Sequence, residues 1–249
     1  ILGRGHHLDL GSLGMTRRRV CYVSGTRADF GLLAGTLRRA AADPRLELSI
    51  CVTGMHLLPQ FGETVTEIEA SGLDIGGRIP VDLADGDGAA MARALGQALI
   101  GLTDHFVATS PDLVLVLGDR GEMLAATLAA VHLNIPVAHL HGGERSGTVD
   151  EPVRHAISKL AHYHLTATAG ARDRLIRMGE LAGRVFVTGA PGLDGLAQAP
   201  ARPRDELCVA MGLDPDQPVA LVIFHPVLQE ADDAGRQVRE VLAAVSDTG

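Results

Sequence analysis

The chain has 249 residues, 46% hydrophobic and 21% charged, which suits an ordinary soluble globular protein of one large domain or one and a half smaller ones. A formal net charge of −8 argues against nucleic acid as the main partner, because phosphate binding wants a basic field, though a local basic pocket for a small phosphate ligand stays open. No run of about 18 apolar residues offers a membrane span, and the widely spaced Cys21, Cys51 and Cys208 read as buried thiols of a reducing cytosol, not as a disulfide framework.

The opening ILGRGHHLDLGSLG has no apolar periodicity and no signal-peptide core, and it precedes Met15. Residues 1–18 are therefore expected to be an extension outside the fold, and the location is expected to be the cytoplasm. From residue 19, short β-branched runs alternate with helical patterns. Strands are expected at 19–23, 46–52, 112–117, 136–139, 163–167 and 184–187, with helices near 30–42, 62–71, 88–109, 121–133, 150–161 and 170–179. Near-continuous apolar strands alternating with helices predict a parallel sheet covered on both faces, and ligands of such sheets bind at the carboxyl ends of the strands. This first domain is expected to span 19–198. A linker, APARPRDE at 199–206, leads to a short helix near 204–211, a strand at 219–224 and a helix near 231–246. A second domain needs on the order of 100 residues, so 199–249 reads as the start of a domain cut short.

Four segments at strand ends carry chemistry. Ser24-Gly25-Thr26-Arg27-Ala28-Asp29 follows the first strand, and its free N–H groups and Arg27 suit a diphosphate; the alternative is an ordinary turn with Asp29 capping the helix. It is not a GxGxxG loop, which disfavours a nicotinamide cofactor. Gly118-Asp119-Arg120-Gly121-Glu122 ends the most apolar strand. There Asp119 is either a catalytic carboxylate or a helix cap, and Arg120 either holds a phosphate or ribose or is solvated. His139-Leu140-His141-Gly142-Gly143-Glu144, with Asp150, Arg154 and His155 beyond, concentrates titratable groups suited to acid–base work. Asp150 and Arg154 fall on one helix face at i, i+4. A metal is the weaker reading, since no cysteine accompanies the histidines and no HExxH spacing occurs; a satisfied polar network under a loop is the other. Phe224-His225-Pro226 and Thr53-Gly54-Met55-His56 are strand-end turns whose histidines become functional only if they face a cleft.

Together SGTRADFG (24–31), TGMHL (53–57), LGDRGEMLAA (117–126), AHLHGGERSGTVDEPVRHAISKLAHYH (138–164), VTGAPGLDGL (187–196) and FHPV (224–227) resemble, in order, the hydrolysing UDP-N-acetylglucosamine 2-epimerases that open sialic-acid and legionaminic-acid synthesis. The resemblance covers nearly everything from 19 to 230. It implies a glycosyltransferase-B-like architecture of two Rossmann-like domains, the second incomplete here, with a UDP-amino-sugar in the cleft. It implies elimination of UDP across C1–C2 followed by addition of water, without metal or cofactor, and self-association of the intact protein. By motif position, Asp119 and Asp150 are implied as the acid–base carboxylates, with His225 at the diphosphate. Arg27, Ala28 and Arg120 are implied as nucleotide-sugar contacts and His56 as a sugar-pocket residue. Glu144 and Arg154 are expected to bind substrate. Animal-type members carry a third acidic residue where this chain has His141. Some bacterial members, including those acting on the diacetamido-trideoxy sugar, read as this chain does, and a neutral His141 still suits a base near pH 7. The competing readings are a glycosyltransferase of the same architecture, and a non-catalytic nucleotide-sugar-binding fragment.

Overall fold

A computed structural model describes residues 17–83, 88–146, 149–196, 201–226 and 228–247. The expected extension therefore lies, up to residue 16, outside the described residues, as do the first two positions of the expected linker. The chain divides into two compact units, Ile1–Asp194 and Gly195–Gly249.

In the first unit, strand β1 (Arg18–Ser24) is followed by α1 (Arg27–Ala41), β2 (Leu46–Thr53), α2 (Val65–Ala70) and β3 (Ile75–Ile79). Then come α3 (Gly88–Thr109), β4 (Leu113–Leu117), α4 (Gly121–His132), β5 (Val137–Leu140), α5 (Asp150–Leu160), β6 (Tyr163–Thr166), α6 (Ala169–Arg177) and β7 (Val185–Val187). The seven strands form one sheet in the order β3-β2-β1-β4-β5-β6-β7, and every pairing is parallel. This is the doubly wound order of Rossmann-like α/β folds, as the alternation of strands and helices predicts.

The layers follow from side-chain pattern. On α3, Ala90, Ala94, Ala98, Leu102 and Phe106 recur every four residues and are all buried. The alanines let α3 approach α4, whose Ala125, Ala126, Ala129 and Ala130 belong to the same core as Ile157 of α5. On the other face Phe30, Leu33 and Leu37 of α1 and Ile68 of α2 pack with Tyr22, Ile50 and Val52 of the sheet. Each fully buried Leu, Ile or Phe of these layers contributes about 1.5–3 kcal/mol. Central strands apolar on both faces are the result, which is why β1 and β4 lack polar–apolar alternation.

Two expectations about the elements need correction. Strand β3, Ile75-Gly76-Gly77-Arg78-Ile79, was not anticipated, because paired glycines have the lowest strand propensity and mark no run. Glycine is required there by tertiary contact: a Cβ on Gly77 would lie 2.7 Å from Nδ1 of His105 on α3. Conversely, the expected strand at 219–224 does not form. Residues 218–226 are irregular, and Leu221 and Ile223 are 82% and 67% exposed. A strand is stable only when a neighbour takes up its N–H and C=O groups, and among the described residues none does so. The described residues of the second unit include α7 (Arg204–Met211), ended by Gly212, a short 3-10 turn over Leu228–Asp233 and α8 (Ala234–Ser246). Among the described residues no helix is long and apolar enough to cross a membrane.

Candidate active site

Strand order reverses between β1 and β4, so the loops leaving these strands border the crevice where doubly wound sheets bind ligands. The loop after β1 is held from below. Thr26 is the N-cap of α1 and Asp29 its third residue, each accepting from the other's backbone in a capping box, so the cap is Thr26 and not Asp29. The Asp29 carboxylate accepts hydrogen bonds from Tyr22 Oη at 3.0 Å, the Gly25 N–H at 3.0 Å, the Thr26 N–H at 2.7 Å and the Ser24 hydroxyl. Burial pushes the Asp29 carboxyl above its ordinary range, while the Ser24 and Thr26 hydrogen bonds pull it back. His56 is fully buried under the loop after β2, between Ser24 Oγ at 3.0 Å and Thr64 Oγ1 at 2.8 Å. Burial lowers its basicity, against the pull of Asp29. His56 therefore braces the β1 loop. Arg27 and Ala28 are exposed on the first turn of α1, and Arg27 Nε reaches Glu67 Oε1 of α2 at 3.0 Å.

The loop after β4 presents Gly118, Asp119 and Arg120. Arg120 occupies the N-cap position of α4, so Asp119 does not cap that helix. Asp119 instead pairs with the guanidinium of Arg154 on α5. The Arg120 Nε lies 3.4 Å from Glu122 Oε2 without hydrogen-bond alignment, and its Nη2 is 3.9 Å from the sulfur of Met55.

The loop after β5 supplies the third wall. His141 sits at φ +61°, in the left-handed region that non-glycine residues rarely adopt and that clusters at functional sites. Its Nε2 is buried without a hydrogen-bond partner, as are Glu144 Oε1, Arg154 Nε and His155 Nδ1. Buried polar atoms are normally satisfied, and these orphaned groups lie together on one loop and the helix it enters, where a polar ligand would satisfy them. Burial lowers the basicity of His141, and Glu144 pulls it partly back. Gly143, at φ +78°, lets the loop meet α6: a Cβ there would stand 2.5 Å from the Ala171 carbonyl oxygen, and Arg174 of α6 donates to the Gly143 carbonyl. Asp150 is exposed on the first residue of α5, one turn before Arg154. Among the described residues no group of three or more His, Cys, Asp or Glu side chains is arranged to hold a metal ion.

A family model described as UDP-N-acetylglucosamine 2-epimerase matches residues 38–248. The chain belongs to the UDP-N-acetylglucosamine 2-epimerase family. A Legionella pneumophila relative named UDP-N,N'-diacetylbacillosamine 2-epimerase (hydrolyzing) is 54% identical over 93% of this chain and 61% of its own length. A Campylobacter jejuni relative named GDP/UDP-N,N'-diacetylbacillosamine 2-epimerase (hydrolyzing) is 33% identical over 92% of this chain and 59% of its own. Among solved structures, a Methanocaldococcus jannaschii UDP-GlcNAc 2-epimerase in complex with UDP-GlcNAc and UDP superposes with a TM-score of 0.59 at 26% identity, over 69% of this chain and 46% of that one. The chain thus spans about three-fifths of the length of the curated relatives it matches.

Within this epimerase-family chain, the structure brings Asp119 and Arg154 into contact and sets Asp150 on the same helix as Arg154 at i, i+4, about 5–6 Å apart between Cβ atoms. His141 and Glu144 belong to the neighbouring loop. His225 is exposed at the end of the irregular 218–226 segment, in the second compact unit. His139, which the sequence groups with the other titratable residues of its segment, has a distinct place in the structure. Its imidazole is buried, with Nε2 2.7 Å from the Gly118 carbonyl oxygen and Nδ1 3.1 Å from Ser158 Oγ. A polar side chain inside the otherwise apolar β5 run Val-Ala-His-Leu is the signal that marks it.

Proposed function

We propose that the intact protein is a hydrolysing 2-epimerase whose substrate is UDP-N,N'-diacetylbacillosamine, converted to the free 2-epimeric diacetamido sugar and UDP. The observation that carries this reading is the 54% identity over 93% of the chain to a relative bearing that name. The site is consistent with it: Asp119 at the strand switch point pairs with Arg154 of α5, and orphaned polar atoms lie on the loop after β5 and on α5. A cytoplasmic location and a place in legionaminic-acid-type synthesis go with this reading. Self-association of the intact protein goes with this reading.

The proposed chemistry has two halves. The C2 proton becomes removable only as the C1–O bond breaks, so UDP departs with its electron pair as a base takes the proton, leaving a 1,2-unsaturated sugar. Water then delivers hydroxide to C1 and a proton returns to C2 from the opposite face. Asp119 and Asp150 are the acid–base pair of this scheme, with His141 as a further base, neutral at pH 7 because burial lowers its basicity. Arg27, Ala28 and Arg120 line the exits of β1 and β4, where the arginines and the α1 N-terminus favour the departing diphosphate. Glu144 and Arg154 contact the sugar, and His56 supports the pocket from beneath. The assignment of His225 to the diphosphate rests on the FHPV segment alone.

Full-length protein supplied with UDP-N,N'-diacetylbacillosamine or UDP-N-acetylglucosamine in deuterium oxide tests the proposal. The expected products are UDP and a free sugar inverted and deuterated at C2, formed faster from the diacetamido substrate. Sugar transfer that requires an acceptor would establish the glycosyltransferase alternative. Binding of UDP with no turnover of either sugar would leave a binding protein.

A further inference from the structure

Five residues close a ring beneath the Asp119 loop. The Gly118 carbonyl oxygen lies 2.7 Å from His139 Nε2, His139 Nδ1 lies 3.1 Å from Ser158 Oγ, and Ser158 Oγ lies 3.0 Å from the Arg154 carbonyl oxygen. The Arg154 guanidinium pairs with Asp119, which is bonded to Gly118. The ring therefore spans β4, β5 and α5 and returns to the residue it started beside.

The hydrogen-bond directions follow from the groups. A carbonyl only accepts, so Nε2 carries the imidazole proton and Nδ1 is an acceptor. The single Ser158 hydroxyl hydrogen is then shared between Nδ1 and the Arg154 carbonyl. The location explains why a donor is needed. The β4–β5 ladder ends at Leu117–Leu140, Gly118 turns at φ +84° and His141 turns at φ +61°. The imidazole supplies the Gly118 carbonyl with a donor just past the end of the ladder. A buried imidazole costs more to desolvate than a leucine of similar size, so filling the core does not account for it.

We infer that His139 is a positioning residue: through the Gly118 carbonyl on one side and Ser158 on the other, it fixes the Asp119 carboxylate relative to α5. This rests on the reading of Asp119 as an acid–base group of a 2-epimerase. Burial, with the neighbouring histidines, pushes the His139 imidazole down to about 4, so the ring keeps one protonation state across neutral pH.

Amide side chains separate the two halves of the imidazole, because glutamine places a donor near the Nε2 position and asparagine reaches only the Nδ1 position. The test compares His139→Asn, His139→Gln and Ser158→Ala in the full-length enzyme, measuring kcat, KM and calorimetric UDP affinity. His139→Asn is expected to lower kcat about 10²-fold, the scale of an ångström misplacement at a reacting centre, with KM and UDP affinity within about twofold. His139→Gln is expected to restore most of that turnover, and Ser158→Ala to lower kcat several-fold with KM unchanged. Equal kcat in the Asn and Gln variants, whether both high or both low, would overturn the inference. So would losses that appear in KM and UDP affinity. Should the Asn variant fail to fold, a Ser158→Ala enzyme with wild-type kcat is enough to reject the ring. Absence of epimerase turnover in the wild-type protein would count against the proposed function, and the positioning of Asp119 is then read from a crystal structure of His139→Asn. An unmoved Asp119 carboxylate there rejects the inference.

Discussion

Arg154, on the second turn of α5, pairs with the carboxylate of Asp119 at the end of β4 and so ties a helix to the loop where the strand order reverses. The two side chains are 12% and 21% exposed, so the pair is largely withdrawn from water, and burial draws the Arg154 guanidinium below its ordinary basicity. The pair restricts the orientation of the carboxylate, which suits the acid–base role proposed for Asp119.

Asp119→Asn and Asp150→Asn each remove one proton-accepting oxygen and keep the shape. Turnover of the full-length enzyme is expected to fall about 10²–10⁴-fold in each, the usual value of a placed acid or base, while UDP affinity stays within a few-fold. Steady-state kinetics beside calorimetric UDP titration checks this; near-normal turnover in either variant removes that residue from the acid–base pair.

Stability should fall as pH drops from about 6.5 to 4. In the unfolded chain His139 takes up a proton near 6.5, whereas the folded protein resists until about 4, so below 6.5 the unfolded state binds more protons. The group costs nothing above pH 6.5 and up to about 3 kcal/mol below pH 4. His56, His141 and His164, all lowered by burial, act in the same direction. Urea denaturation at pH 7 and pH 4.5 should show a shallower pH slope for His139→Gln than for wild type.

Gly143→Ala tests the loop between β5 and α5. The alanine Cβ would collide with the Ala171 carbonyl in a backbone conformation, φ +78°, that L-residues avoid, so about 2–3 kcal/mol of stability should be lost. Chemical denaturation measures it, and a loss under about 0.5 kcal/mol would show that the loop and α6 move apart freely.

Cys21 and Cys51, adjacent in the core of β1 and β2, should be inert in the native protein. Burial pushes the Cys21 thiol up to about 12 and Cys51 higher still, and the thiolate is the reactive form. Mass spectrometry after iodoacetamide at pH 8 is expected to find both unmodified until denaturant is added; rapid native labelling of either would contradict the buried placement.

Periodicity alone placed six of the seven strands and the helices of the first unit within a few residues, because apolar runs such as Arg18–Ser24 and the four-residue stripe of α3 are local signals of burial. β3 escaped, since Gly76 is set by Ser49 of the neighbouring strand β2 and Gly77 by His105 of α3, both far away in sequence. The 219–224 run showed the opposite error, for an apolar pattern predicts a strand only where a neighbour is present to pair with it. At the site, the motifs marked Asp119, Asp150, His141 and Arg154 as chemistry-bearing, because charged residues at the ends of apolar strands are costly without a use. They did not tell Asp119 as a helix cap from Asp119 as the partner of Arg154, and they counted His139 among the titratable groups without giving it a role of its own.

The sequence by itself determined the parallel α/β class, the strand-end location of the polar groups and the family. Side-chain period and residue order carry that information locally. Only the tertiary structure decided that Asp119 faces Arg154, that His56 lies beneath its loop and that His139 ties Gly118 to Ser158. Those contacts join residues 19 to 35 positions apart, and their geometry exists only once β1 is paired with β2 and β4, β5 and α5 are packed together.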